Sequence, residues 1–356
     1  MSPTILAGTR RGIFIGKKEQ NSWRFSGPRL IGQPIYCASA DTRGATPVLY
    51  AGRNDAHWGP GIHCSSDMGE TWTEAQVQPR FAAGSALAVE AVWQIVPGGI
   101  DQPNVLYAGT TPAALFRSDD SGRTWRELDG LTKHPTRSEW MPGNGGLCLH
   151  SILVNPHDSK HLIVGISSVG VFESFDEGQS WELINTGLPC VFRPGEFENK
   201  IGSCIHKIAF APGKATRIYQ QNHQGLFLRE GRGIWHNIQG NQPFTFGFPL
   251  VAHPRDADCA FVVPLGADSC RAPKDGALAV YVTRDAGKSW TPRRKGLPDK
   301  LFNGVLRDAF DITSGTPCAL CFGTNGGQIF FSADEGESWE MAADLLPPVN
   351  SVRLLS

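Results

Sequence analysis

Apolar residues recur along the chain in short runs that end in glycine, as in Val48-Leu49-Tyr50-Ala51-Gly52, Val105-Leu106-Tyr107-Ala108-Gly109 and Leu162-Ile163-Val164-Gly165. Each is followed by a further short run such as Gly170-Val171-Phe172. Runs of this length between turn residues predict strands. Between them, five segments share one pattern, [S/T]-x-D-x-G-x-[S/T]-W: Ser65 to Trp72, Ser118 to Trp125, Ser174 to Trp181, Thr283 to Trp290 and Ser332 to Trp339. The pattern reads as a hairpin turn in which Asp accepts local backbone N–H groups, Gly takes a positive-φ position and Trp packs between sheets.

Two eroded copies fill the gaps, Arg11-Gly12-Ile13-Phe14 running on to Trp23 and Gly225-Leu226-Phe227 running on to Trp235. The tryptophans at 23, 72, 125, 181, 235, 290 and 339 are then spaced by 49, 53, 56, 54, 55 and 49 residues. A period near 50 repeated seven times is the signature of radial repetition with four strands per unit. The chain enters at a second-strand motif, Ile5-Leu6-Ala7-Gly8, and ends on a first-strand motif, Val349-Asn350-Ser351-Val352-Arg353. The expected fold is therefore all-β: a seven-bladed β-propeller over residues 1–356 as one domain, its ring closed by the C-terminal strand joining the first blade.

The turns and the second-strand pattern resemble the BNR or Asp-box repeat family, which includes sialidases, sortilin-like domains, xyloglucanases and a photosystem assembly factor. The likeness covers nearly the whole chain and is strongest to single-domain, sialidase-like bacterial repeat propellers. It implies a fold more than a reaction. A true sialidase needs an arginine trio, a Tyr nucleophile with a Glu partner and an acidic acid/base. Here Tyr50, Tyr107 and Tyr219 sit at core positions of second strands, Tyr281 precedes a turn and only Tyr36 remains. The family's N-terminal F/Y-R-I-P motif is missing too, so sialidase chemistry is not expected.

Composition narrows the picture further. Thirty-three basic and 34 acidic side chains nearly cancel, which removes the electrostatic footprint of a nucleic-acid or membrane-surface protein. No signal-peptide pattern opens the chain, and nine cysteines form no recognisable disulfide framework. A cytoplasmic protein with reduced thiols and no organic cofactor is expected.

Chemistry is expected at the blade ends opposite the repeated turns, where the long connections crowd. Cys148-Leu149-His150 and Cys204-Ile205-His206 stand at equal offsets before Pro156 and Pro212, so strand alternation puts each Cys and His on one side. His223 belongs to a connection at the same blade end. One reading makes His150, His206 and His223 ligands of a single divalent transition metal (Zn, Mn, Fe or Cu), assisted by Gln221 or a thiolate. The other makes them hydrogen-bonded wall residues or acid/base groups. Arg307 is placed to hold an anionic group of a substrate, with Asp308 and Lys207 nearby. Glu139, Glu196 and Glu198 are candidate acid/base carboxylates, and Trp58, Trp140 and Arg193 candidate substrate contacts.

The catalytic set expected is thus His150, His206, Arg307 and Glu139, with Trp58, Trp140, Arg193, Gln221 and Lys207 binding substrate. Together these residues describe a hydrolase or lyase acting on a small polar or carbohydrate-derived ligand. The alternative is a scaffold or assembly factor that docks a protein partner on the same face.

Overall fold

The computed structural model describes residues 2–55, 57–190, 198–212 and 217–355. They form seven four-stranded antiparallel sheets, the architecture of a seven-bladed β-propeller, and the helical content among the described residues is limited to two short 3-10 turns, Arg137–Glu139 and Lys274–Gly276. In six sheets the strands follow chain order. The first sheet takes its leading strand from the other end of the chain: Val349–Leu355 pairs with Thr4–Thr9, placing Leu6 opposite Arg353 and Gly8 opposite Ser351. The expected closure by the C-terminal strand is present, and it leaves Thr4–Thr9 paired on both edges.

By contact density the chain divides into two compact units, Met1–Pro28 with His206–Ser356, and Arg29–Ile205. The first has a core around Phe261, Phe322, Phe330, Trp339 and Val349, and a second cluster around Tyr219, Leu250 and Trp290. The other unit is held by Tyr107, Leu115, Trp140, Phe172 and Trp181, and by Tyr50, Phe116 and Trp125. The second strands Leu106–Thr111 and Ala260–Leu265 are buried along their whole length, which explains why such sequences read as unbroken apolar runs rather than alternating ones.

The repeated turns carry one hydrogen-bond scheme. In the copy at Ser174, the Ser174 hydroxyl donates to Asp176 Oδ1 (2.8 Å) and accepts from Gly178 N (2.9 Å). Asp176 also accepts from Ser180 N (2.9 Å) and Ser180 Oγ (2.5 Å). The Trp181 indole N–H then donates to Gly178 O (3.0 Å), and the ring is almost fully buried. The same Ser/Thr, Asp and Gly contacts recur at Asp67, Asp120, Asp285 and Asp334.

One feature exceeds the sequence expectation, because two consecutive residues in each turn have positive φ. Met68, Ser121, Glu177, Ala286 and Glu335 lie at φ 58 to 61°, and the glycines that follow at 84 to 90°. This is the backbone of a tight hairpin whose twist matches the strands. The strain at the non-glycine position, about 1 to 2 kcal/mol, is offset by the carboxylate and hydroxyl bonds around it. At two copies that strained residue also reaches the preceding blade: Glu177 pairs with Arg117 (2.5 Å) and Glu335 with Arg284 (2.8 Å).

Replacing Asp176 by Ala deletes the acceptor of three local donors and should cost about 1 to 2 kcal/mol in urea unfolding. Trp181→Ala should cost about 3 to 5 kcal/mol. A loss of only a few tenths for Asp176→Ala would show that the turn does not hold the blade.

Candidate functional site

In each four-stranded sheet the connection between second and third strands emerges at the same end as the start of the first strand, and the repeated Asp turns emerge at the other. Within the unit that contains His206–Ser356, five such positions converge. His206 lies near the start of Ile205–Phe210, and His223 sits in the turn between Ile218–Asn222 and Gly225–Arg229. Phe246 and Phe248 open Phe246–Ala252, and Asp268 and Arg271 lie in the connection between Ala260–Leu265 and Val280–Thr283. Arg307 stands just before Phe310–Ile312.

His206 is buried at the centre of this group. Its ring lies 4.8 Å from Phe248, 5.2 Å from Phe246 and 5.4 Å from His223, and His223 is edge-on to Phe246 at 5.1 Å. His206 Nδ1 is 2.5 Å from the carbonyl oxygen of Gly247. A carbonyl only accepts, so Nδ1 carries the proton and Nε2 keeps its lone pair. The close approach depends on glycine, since a Cβ at position 247 would meet Gln221 Oε1 at 3.1 Å and Val263 O at 3.2 Å.

Burial pushes the His206 imidazole well below the ordinary histidine range, and the Arg307 charge adds to this, with smaller contributions from His223 and Arg271. His206 is therefore a neutral ring at physiological pH. His223 is the more accessible imidazole, with its side chain about a quarter exposed and Nε2 3.4 Å from Asp268 Oδ2.

Two guanidiniums flank the aromatic pair. Arg307 stands 5.0 Å from the Phe248 ring centroid, and Arg271 stands 5.7 Å from Phe248 and 5.8 Å from Phe246. These are cation–π distances. Arg271 is also oriented by Asp268, through Nη2 at 2.7 Å and Nε at 3.2 Å. Arg271, Asp268 and the two phenylalanines were not singled out in the sequence. The Phe246-Gly247-Phe248 alternation and the long insert from Asp268 to Asp275 were the visible signals.

The remaining candidates are distributed differently. His150 is fully buried in the other unit, where Nε2 donates to Ile205 O (3.0 Å) and Nδ1 faces the Ser151 hydroxyl (3.1 Å), so both ring nitrogens have protein partners. Gln221 is buried and its amide N–H groups serve Asn222 O and Gly225 O. Lys207 is bound to Asp308, both side chains being mostly buried. Trp140 plugs its loop: its indole N–H donates to Thr136 Oγ1 (2.9 Å), its ring packs on Phe172, and Arg137 lies over it at 4.7 Å. Trp58 is 74% exposed against His57. Glu139 is exposed on its 3-10 turn, and Glu198 pairs with Lys200 at 3.0 Å. Arg193 and Glu196 lie outside the described residues.

A second group of donor atoms, His253, Cys318 and Glu335, lies within 4.8 Å of one another on the side of the Asp turns. His253 Nδ1 accepts the backbone N–H groups of Arg255 (3.1 Å) and Asp256 (2.9 Å). Its proton must then sit on Nε2, directed at Glu335 and Cys318, which is the wrong tautomer for a metal ligand. The group joins the sixth and seventh sheets. A cleft of about 660 Å³ on the same side is lined by Arg217, Glu230, His236, Asp258 and Arg284, but its arginines are committed to Glu230, Asp258 and Glu335.

No family model matches the chain. It is 25% identical over 219 residues to a probable oligoxyloglucan-reducing end-specific xyloglucanase of Neosartorya fischeri, a match covering 53% of this chain and 25% of that protein. It is 23% identical over 215 residues to an oligoxyloglucan-reducing end-specific xyloglucanase of Emericella nidulans, covering 52% of this chain and 25% of that protein. The chain thus matches about a quarter of the length of these curated relatives.

Among solved structures, the GH74 enzyme of Niastella koreensis superposes with a TM-score of 0.63 at 17% identity, covering 96% of this chain and 52% of that one. YCF48 bound to a D1 peptide superposes with a TM-score of 0.54 at 14% identity, covering 97% and 89%. At these identities the structures establish a shared propeller fold.

The geometry predicts that His206 carries its proton on Nδ1 and stays neutral below pH 6. Long-range proton–nitrogen correlation spectra of labelled protein, followed from pH 8 to pH 5, should show this tautomer without titration. A midpoint near the ordinary value of 6.5 would contradict it.

Proposed function

We propose that this is an Asp-box repeat propeller of carbohydrate-active type, a hydrolase or lyase whose site is the cluster of His206, His223, Arg271 and Arg307. The single observation that carries the reading is the convergence of two imidazoles and two guanidiniums on one phenylalanine pair. The similarity to xyloglucanases supports a carbohydrate-derived ligand.

His223 is the group placed to exchange a proton with a ligand, because it is partly exposed while Asp268 faces its Nε2. His206 lies beneath it and acts as a positioning residue, with its neutral ring fixing the packing of His223 and Phe246. The usual glycosidase arrangement is two carboxylates flanking the scissile bond. In this cluster one carboxylate, Asp268, is bound to Arg271 and the next, Asp308, to Lys207. The reading therefore centres on histidine rather than on a carboxylate pair.

The same imidazoles fit the first requirement of a transition-metal ligand set. His206 Nδ1–H is held by a carbonyl and His223 Nε2 faces a carboxylate, which leaves His206 Nε2 and His223 Nδ1 as the lone-pair atoms. A divalent ion bound there would polarise a ligand oxygen or activate water, although the adjacent guanidiniums lower its affinity by repulsion.

The test is a panel of oligosaccharides and polysaccharides read by product mass, since hydrolysis adds water to the products and elimination does not. Turnover that falls about 100-fold or more in His223→Ala, with unchanged melting temperature, is the expected result. Turnover equal in the variant would remove His223 from the chemistry. Metal analysis of tag-free protein separates the two uses of the imidazole pair. Near-stoichiometric metal lost in a His206→Ala/His223→Ala double variant assigns them as ligands, and metal-free active protein assigns His223 to proton transfer.

A further inference from the structure

We infer that the unit Arg29–Ile205 carries a saccharide-stacking site, in which Trp58 and the pair Tyr36–Trp93 take the flat C–H faces of the sugar rings of an oligosaccharide. The choice of ligand rests on the carbohydrate reading above, and the site shares no residue with the histidine cluster.

The strand ladders supply the first observation. In the second and third sheets the register between first and second strands shifts at one residue, so that Tyr36 falls between the paired Ile35 and Cys37, and Trp93 between the paired Val92 and Gln94. A bulge of this kind re-aims the side chain that it leaves unpaired. The fourth sheet shifts likewise at His150, whose ring is buried and bonded to Ser151 and Ile205. Tyr36 and Trp93 are instead half-buried. Their rings meet edge to face at 5.2 Å, and the Trp93 indole N–H donates to Thr111 Oγ1 (2.6 Å), which fixes its orientation.

Asn54 ties Trp58 to this pair. Its backbone N–H donates to Pro34 O (2.9 Å), its amide donates to Val92 O (3.3 Å), and its Oδ1 accepts from Val92 N (2.7 Å). The segments leading to Tyr36, Trp58 and Trp93 are therefore joined at one residue. Asp55 Oδ1 accepts the N–H groups of His57 and Trp58, each at 2.8 Å, and the His57 ring packs edge-on to the indole at 4.5 Å. The turn thus presents a 74% exposed tryptophan in a set position. Single apolar side chains on a surface are ordinary, but one held by a preformed turn has already met part of the ordering cost of binding.

The polar edges of these rings select a sugar. A pyranose has an apolar face of C–H groups ringed by hydroxyls, and it calls for aromatic faces with donors and acceptors at their rims. The Tyr36 hydroxyl, the Trp58 indole N–H and the His57 ring nitrogens have no hydrogen-bond partner among the described residues. Sugar hydroxyls can replace the water on these groups, whereas an apolar peptide side chain would displace that water without replacing its bonds.

Isothermal titration calorimetry of the full chain with cellotetraose, xylotetraose and mannotetraose tests the inference. At least one should bind, and Trp58→Ala should weaken its binding about ten-fold or more at unchanged melting temperature. Tyr36→Phe should cost about five-fold, the loss of one hydrogen bond; if that variant fails to fold, Trp58→Ala decides alone. Ile100→Ala removes an equally exposed apolar side chain from the connection between Ala91–Pro97 and Leu106–Thr111, at the Asp-turn end, and should leave the affinity unchanged.

Equal affinity in wild type, Trp58→Ala and Tyr36→Phe would overturn this inference and leave the carbohydrate reading with the histidine cluster. If the tetrasaccharides do not bind but a glycan of the turnover panel is consumed, the same variants are compared by KM, and an unchanged KM overturns the inference alone. Neither binding nor turnover of any glycan would remove both readings.

Discussion

The structure depends on one local device, the Ser/Thr–Asp–Gly–Ser/Thr–Trp turn that ends the third strand of a blade. Its carboxylate gathers a hydroxyl on each side and a backbone N–H, and these bonds hold two successive residues in left-handed backbone. The strand pair that results is tightly twisted, and the tryptophan that follows is delivered at a fixed angle into the apolar layer beside the sheet. A four-stranded sheet alone buries too little to be stable, so each blade relies on its neighbours for the rest of its core. The turn repeats that delivery blade after blade.

Because the turns fix one end of five of the sheets, the other end is free to vary. There the connections lengthen and acquire chemistry, as in the insert carrying Asp268 and Arg271. What gathers them is again aromatic packing. Phe246 and Phe248 form a small apolar cluster with Leu265, His206 lies against both rings, and the arginines stack from outside. Burial keeps His206 neutral, and the Gly247 carbonyl fixes its tautomer. Arg271 and Arg307 bring positive charge to the aromatic pair, and His223 is the more accessible of the two imidazoles.

The fold was legible because its signal is redundant. Five near-identical turns and seven spaced tryptophans specify the repeat even though the copies before Trp23 and Trp235 are eroded. The site was only partly legible. His206, His223 and Arg307 could be brought to one blade end by counting strands, which depends on the order of elements alone. The matching Cys-x-His offset at His150 could not reveal that Ser151 and Ile205 are hydrogen-bond partners of that ring. Arg271 was hidden because loop conformation decides where its guanidinium goes. Trp140 read as a possible sugar platform, yet Thr136, Phe172 and Arg137 close around it.

The central claim is that the repeated turns are rigid parts of the core rather than surface loops. Native-state hydrogen exchange at the amides of Gly69, Gly122, Gly178, Gly287 and Gly336 tests it most directly, because each donates to a buried Ser or Thr hydroxyl at 2.8 to 2.9 Å. The account predicts that these amides exchange only with the slowest second-strand amides, through global unfolding. Exchange at the rate of exposed turns would contradict it and move the source of blade order to the strands alone.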